Sequence, residues 1–95
     1  AKAFEVFQKG AEKGDLAAMC WLGRCFREGH GVEQDDALAL HWWMKGAEEG
    51  HSLSQCEVGR CFIEGKGVER DQETGIEWLV KAAQQSVEAA EKWLQ

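Results

Sequence analysis

The fold class this sequence predicts is all-α: an α/α solenoid of antiparallel helix pairs, about six helices with a 36-residue period. Three observations predict it. Asp15–Gly50 laid on His51–Ser86 gives 14 identities in 36 positions without a gap. Apolar residues recur at helical spacing, and no segment alternates in the manner of a half-buried strand. The same glycine-rich turn occurs twice, Glu28-Gly29-His30-Gly31-Val32-Glu33-Gln34-Asp35 and Glu64-Gly65-Lys66-Gly67-Val68-Glu69-Arg70-Asp71.

Each element follows from this phase. Ala3–Lys13 is a leading second-type helix, because Ala3, Lys9, Gly10, Ala11 and Gly14 stand one period before Ala39, Lys45, Gly46, Ala47 and Gly50. Leu16–Glu28 is a first-type helix with Met19, Leu22, Gly23 and Phe26 on one buried face. Gly29 and Gly65 stand where such a helix ends in a left-handed residue. Val32 and Val68 plug the gap between paired helices, and Asp35 and Asp71 stand at the N-caps of the helices that follow. A phosphate cradle is the functional alternative for these turns, but a carboxylate already occupies the helix start and no strand precedes the glycines. Asp36–Glu49 is a second-type helix, broader in its apolar face, with Trp42 and Trp43 in the core. Leu53–Glu64 and Gln72–Gln85 repeat the pair, with Trp78 again in the core. Val87–Leu94 is a trailing first-type helix, since Ala90, Trp93 and Leu94 stand two periods after Ala18, Trp21 and Leu22. The chain is thus one domain, 1–95: a leading half-repeat (1–14), repeats 15–50 and 51–86, and a trailing half-repeat (87–95). It opens without Met, and the expectation is a piece of a longer chain.

Composition narrows function. The 95 residues carry 11 basic and 17 acidic side chains, a formal charge of −6, which argues against generic nucleic-acid binding. No run is long and apolar enough to cross a membrane. No nucleophile–base pair stands out, and Ser52, Ser54 and Ser86 sit near helix starts where capping accounts for them. Paired acids such as Glu48-Glu49 read as a solvated face. The expectation is that the segment is not an enzyme and needs no cofactor. His30, His41 and His51 fall in three different settings, so four converging metal ligands are not expected. Cys20 and Cys25 lie five apart on one helix, as do Cys56 and Cys61, which turns each pair about 140° apart and away from an internal bridge. Cys20 to Cys56 spans neighbouring repeats at about 10 Å, beyond disulfide reach. Cys25 and Cys61 read as small buried packing residues. Free thiols favour a reducing, cytoplasmic compartment.

The repeated pattern is specific. Ala18-x3-Leu22-Gly23-x2-Phe26-x2-Gly29-x-Gly31-Val32-x2-Asp35-x3-Ala39-x2-Trp42-Trp43-x-Lys45-Gly46-Ala47-x2-Gly50, followed by its second copy from Ser54 to Ser86, resembles the Sel1-like repeat, a relative of the tetratricopeptide repeat. The departures are Ser54 and Gly75 where Ala is usual and Ser86 where Gly is usual. They bear on local stability. The resemblance implies a right-handed stack of helix pairs, no shared catalytic residues, and an adaptor role that holds protein partners. It also implies, for some secreted relatives, cysteine bridges between a second-type helix and the next first-type helix. Cys20 and Cys56 match one end of such a bridge, but Glu12 and Glu48 stand at the other, so the bridge is not expected.

By analogy with tetratricopeptide-like stacks, the first-type helices line a concave groove. The resemblance then places Ala17, Cys20, Arg24, Arg27 and Glu28 on it in the first repeat, and Leu53, Cys56, Arg60, Ile63 and Glu64 in the second. The trailing helix adds Ala89 and Lys92. Arg24, Arg27, Arg60 and Lys92 make this face locally basic in an acidic chain, which suits an acidic or C-terminal-carboxylate peptide, with Leu53 and Ile63 as an apolar shelf. The alternative is that Arg24–Glu28 and Arg60–Glu64 neutralise each other as i,i+4 pairs. The carboxylate clamp of chaperone-binding tetratricopeptide domains is not reproduced, because Cys20 and Cys56 stand where it uses basic or amide residues. Trp21 and Trp93 either mark an interface or pack into the adjacent repeat. Three functions remain open: an interaction module binding a protein or peptide partner, a structural stretch of a longer solenoid, or a regulatory segment beside a catalytic domain. Exposed seams at Ala3, Val6, Phe7, Trp93 and Leu94 predict self-association through the ends.

Overall fold

A computed structural model describes the backbone of residues 2–94 and the side chains of residues 3–85. Five helices run in order: α1 (Lys2–Glu12), α2 (Leu16–Glu28), α3 (Asp36–Glu48), α4 (Ser52–Glu64) and α5 (Gln72–Leu94). Each packs on its sequence neighbours, in an elongated body of 43 × 30 × 17 Å. Among the described residues there is no strand. The solenoid of stacked helix pairs is therefore as the sequence predicts.

The turns work as the repeated motif implies. Gly29 and Gly65 close α2 and α4 in the left-handed region, at φ 71° and 72°. The chain then reverses, and the backbone N–H of Asp35 donates to Phe26 at 2.7 Å while that of Asp71 donates to Phe62 at 2.8 Å. Each aspartate is thereby fixed where its carboxylate accepts from the next helix: Asp35 from Leu38 N at 3.1 Å, Asp71 from Thr74 N at 3.2 Å. Val68 closes the space under its turn against the core.

The caps of α2 and α4 are a finding beyond the sequence reading. Asp15 accepts from Ala18 N, and one period later His51 Nδ1 accepts from Ser54 N. Ser54 is not a capping residue. It stands where the first repeat has Ala18, is fully buried, and keeps its hydroxyl 2.8 Å from His51 Nδ1. A hydroxyl is tolerated there because the cap supplies its partner.

Trp43 is the centre of the larger core cluster, 1% exposed, with Cys20, Ala39, Leu40, Ala47, Val58 and Cys61. Its indole N–H donates to the Cys20 carbonyl at 2.9 Å, and its ring lies where any Cβ on Gly23 would sit. The repeat then varies in a compensated way. Leu79 replaces Trp43 and Gly75 replaces Ala39. The smaller side chains bring α4 and α5 together until a Cβ on Gly75 would lie 2.7 Å from the Gly59 carbonyl. Trp42 and Trp78 are only half-buried. They flank the core and carry Lys45 and Lys81 over their rings at 5.1 and 4.7 Å, which accounts for the repeated lysine. Cys25 and Cys61 are packing residues, each 6% exposed.

One element departs from the expected count. The trailing helix does not break from the one before it, and α5 is a single helix of 23 residues. Gly14 and Gly50 end α1 and α3 with φ 92° and 90°. Ser86 replaces that glycine and Val87 replaces the cap of Asp15 and His51, so neither half of the stop-and-restart signal is present.

Candidate functional site

The first-type helices α2 and α4 lie side by side, and a cleft of about 150 Å³ opens between them. Ala17, Cys20, Trp21 and Arg24 line it from α2, and His51, Leu53, Cys56 and Glu57 from α4 and its cap. Trp21 and Arg24 also border a hollow against Phe4 and Phe7 of α1. Leu53 and Cys56 border another against Leu79 and Ala83 of α5. The three hollows thus share walls along a surface that four helices build.

Its charge is arranged differently from the i,i+4 pairing weighed above. Glu57, mostly buried, takes Arg27 of the neighbouring repeat at 3.4 Å and Arg60 of its own helix at 3.6 Å. Glu28 pairs instead with His30, 3.3 Å away. Arg24 makes no ion pair among the described residues. Its guanidinium lies 5.3 Å from the centre of the Trp21 ring. Trp21, half exposed, stacks on Phe7 with centroids 5.9 Å apart and planes 17° from parallel. One tryptophan therefore packs into the preceding helix and still offers a face to the groove.

The predicted site residues scatter accordingly. Arg24 and Leu53 come together in the cleft, and Leu53 is 64% exposed. Arg27 and Arg60 are spent on Glu57. Ile63 lies beside Gly75 of α5, about 15 Å along α4 from Leu53. The side chains of Lys92 and Ala89 lie outside the described residues, as do those of Trp93 and Leu94. Glu57 and His51 were missed. The signal for Glu57 was present: it is where the repeat breaks its own pattern, glutamate standing one period after Trp21.

All four cysteines are free thiols. Burial pushes the Cys20 thiol up, partly offset by the Ser54 hydroxyl, and burial pushes Cys61 up to about 11. Cys20 and Cys61 are therefore neutral packing groups at physiological pH. Among the described residues no cluster of three or more His, Cys, Asp or Glu is placed to hold a metal ion. No helix there is long and apolar enough to cross a membrane.

The pattern characteristic of the Sel1 repeat matches residues 1–15, 16–51 and 52–87. The chain belongs to the Sel1 repeat family. These boundaries fall one residue later than the 36-residue division read from internal identity. A Sel1 repeat protein from Oxalobacter formigenes is 34% identical and superposes with a TM-score of 0.85, covering 86% of this chain and 63% of its own. A protective antigen present in uropathogenic Escherichia coli strains, displaying the same repeat fold, is 37% identical with a TM-score of 0.81. It covers 83% of this chain, which spans 17% of the antigen. The Helicobacter pylori cysteine rich protein B shares the fold at 21% identity and a TM-score of 0.81, over 85% of this chain and 61% of its own. This Sel1 chain thus spans under two thirds of each of these proteins. No curated protein matches it. Sel1 repeats are protein-interaction modules and generally non-catalytic scaffolds.

Proposed function

We propose that the groove binds an extended peptide carrying a carboxylate between two apolar side chains. Arg24 carries the reading. Among the described residues it is the groove cation left without an acid, held over an aromatic ring in a chain of net charge −6. A guanidinium pre-placed by stacking loses little freedom on binding a carboxylate, and its fork matches that group. Leu53 offers an apolar surface on one side of it, and Phe4 and Phe7 line a hollow on the other. Arg27 and Arg60 serve as the frame, since both hold Glu57. In this reading the whole protein is a non-catalytic adaptor, holding an acidic segment of a protein partner, in a reducing compartment where its thiols stay free.

The test is binding of acidic peptides, measured by titration calorimetry as a function of salt. Arg24→Glu is expected to abolish binding and Arg24→Lys to weaken it, with helicity unchanged. Equal affinity in Arg24→Glu would move the site elsewhere. Arg60→Glu, which leaves Arg24 in place, is expected to weaken binding far less.

A further inference from the structure

His51 caps α4 with an uncommon group. One period earlier Asp15 caps α2 with a carboxylate, and the usual capping side chains are Ser, Thr, Asp and Asn. Capping alone therefore does not account for an imidazole. The ring is tied at one nitrogen only. The backbone N–H of Ser54 donates to Nδ1 at 3.3 Å, and the hydroxyl of the fully buried Ser54 lies 2.8 Å from the same atom. A backbone N–H can only donate, so Nδ1 is the bare nitrogen and the hydrogen of the neutral ring sits on Nε2. Among the described residues Nε2 has no partner, and no buried side-chain nitrogen or oxygen lacks one, so Nε2 reaches solvent. His51 lines the cleft between α2 and α4, the cleft that Arg24 also lines.

We propose that His51 is the second anchor of this cleft, its Nε2–H donating to a main-chain carbonyl of the bound peptide while Arg24 takes the carboxylate. The inference rests on the reading of Arg24 as a carboxylate anchor and adds what lies at the cleft's other end. In the repeat His51 is level with Asp15, nine residues before Arg24. At the backbone that is about 13 Å along the helix direction. An extended chain covers this span in about four residues. Between the two donors the walls are small or apolar: Ala17, Cys20, Leu53 and Cys56. They meet the ligand's side chains, and the two ends fix its acid and its main chain. The occupant is therefore an extended segment, not an isolated acidic side chain. Its affinity depends on a carbonyl about four residues away from the acid.

The test compares two probes on the full chain by NMR titration. One is N-acetyl-Leu-Glu-Leu-amide, too short to reach both anchors. The other is the same tripeptide with a Gly-Ser-Gly-Ser tail on each side. Wild type is expected to bind the long probe more tightly. His51→Ser keeps a capping oxygen and withdraws the donor from the cleft. It is expected to weaken the long probe about fivefold, as for one neutral hydrogen bond, and to leave the short probe unchanged. Arg24→Glu is expected to abolish binding of both. The imidazole ¹⁵N shifts at pH 8, assigned by their loss in His51→Ser, are expected to show the Nε2–H form of His51. An Nδ1–H ring overturns the second anchor. So does equal affinity of wild type for the two probes, or a His51→Ser variant that holds the long probe as wild type does. A variant that weakens both probes equally also overturns it, because the ring then acts through the shape of the cleft. In each of these cases loss of both probes in Arg24→Glu leaves the first anchor standing. Binding that survives Arg24→Glu, or a wild type that takes neither probe, overturns both anchors. If His51→Ser loses helicity, His51→Thr, which also caps, is judged by the same outcomes.

Discussion

Trp43 joins two helices with one side chain, and its neighbours show how burial sets chemistry at single residues. The thiols differ sharply. Cys61 is buried and its thiol is raised to about 11, while Cys56 is only half-buried at the cleft wall. A thiol reagent at pH 8 is expected to modify Cys56 first and Cys61 only as the protein unfolds, as mass spectrometry of the labelled peptides would show. Equal labelling rates would contradict the packing. The sign for stability follows. Folding favours the neutral Cys61 thiol, so its contribution is intact below the ordinary value near 9 and is lost as pH rises towards 11. The melting temperature is expected to fall over that window, and to fall less in Cys61→Ala. Residue-scale reading of the sequence placed the buried cysteines correctly, because a small apolar residue repeated on an apolar face has few other uses. It could not place Arg27 and Arg60, whose common partner Glu57 lies across a repeat boundary from Arg27.

Helices here start and stop on side-chain signals that repeat with the period. Asp35→Ala removes a cap and is expected to cost about 0.5–2 kcal/mol, read from denaturant unfolding. Gln55, 4% exposed, donates to the Ala47 carbonyl and accepts from Gln85 at 3.0 Å. Its replacement by Leu strands both partners and is expected to cost about 1–3 kcal/mol. Gly75→Ala forces a methyl against the Gly59 carbonyl and is expected to cost about 1–3 kcal/mol, although alanine is the better helix former. A stabilised Gly75→Ala variant would show that α4 and α5 do not approach as described. Helix boundaries were legible wherever the glycine and cap were both present. The fusion at Ser86 was not, because internal phase marks where a helix begins in the repeat and says nothing of a missing stop.

At the scale of the molecule two core clusters share Phe26: one around Trp43 and one around Leu22 with Ala11, Ala18 and Met19. Stacked units of this kind unfold in coupled steps rather than as one block when a joint is weakened. Trp43→Ala is expected to cost about 3–5 kcal/mol and to lower amide protection in α2, α3 and α4 together, since its ring touches all three layers' cluster. Protection lost in α3 alone would mean the layers are energetically separate. The solenoid was legible from the sequence as a whole because a 36-residue identity has no cheaper explanation; the groove's polarity was not, because it depends on which charges meet across layers. The exchange of Ala39 and Trp43 for Gly75 and Leu79 carries one last consequence. The two modules are not interchangeable bricks: a chimera whose junction separates position 75 from position 79 inherits either a void or a collision, so recombination within this family must move both residues as one inherited unit.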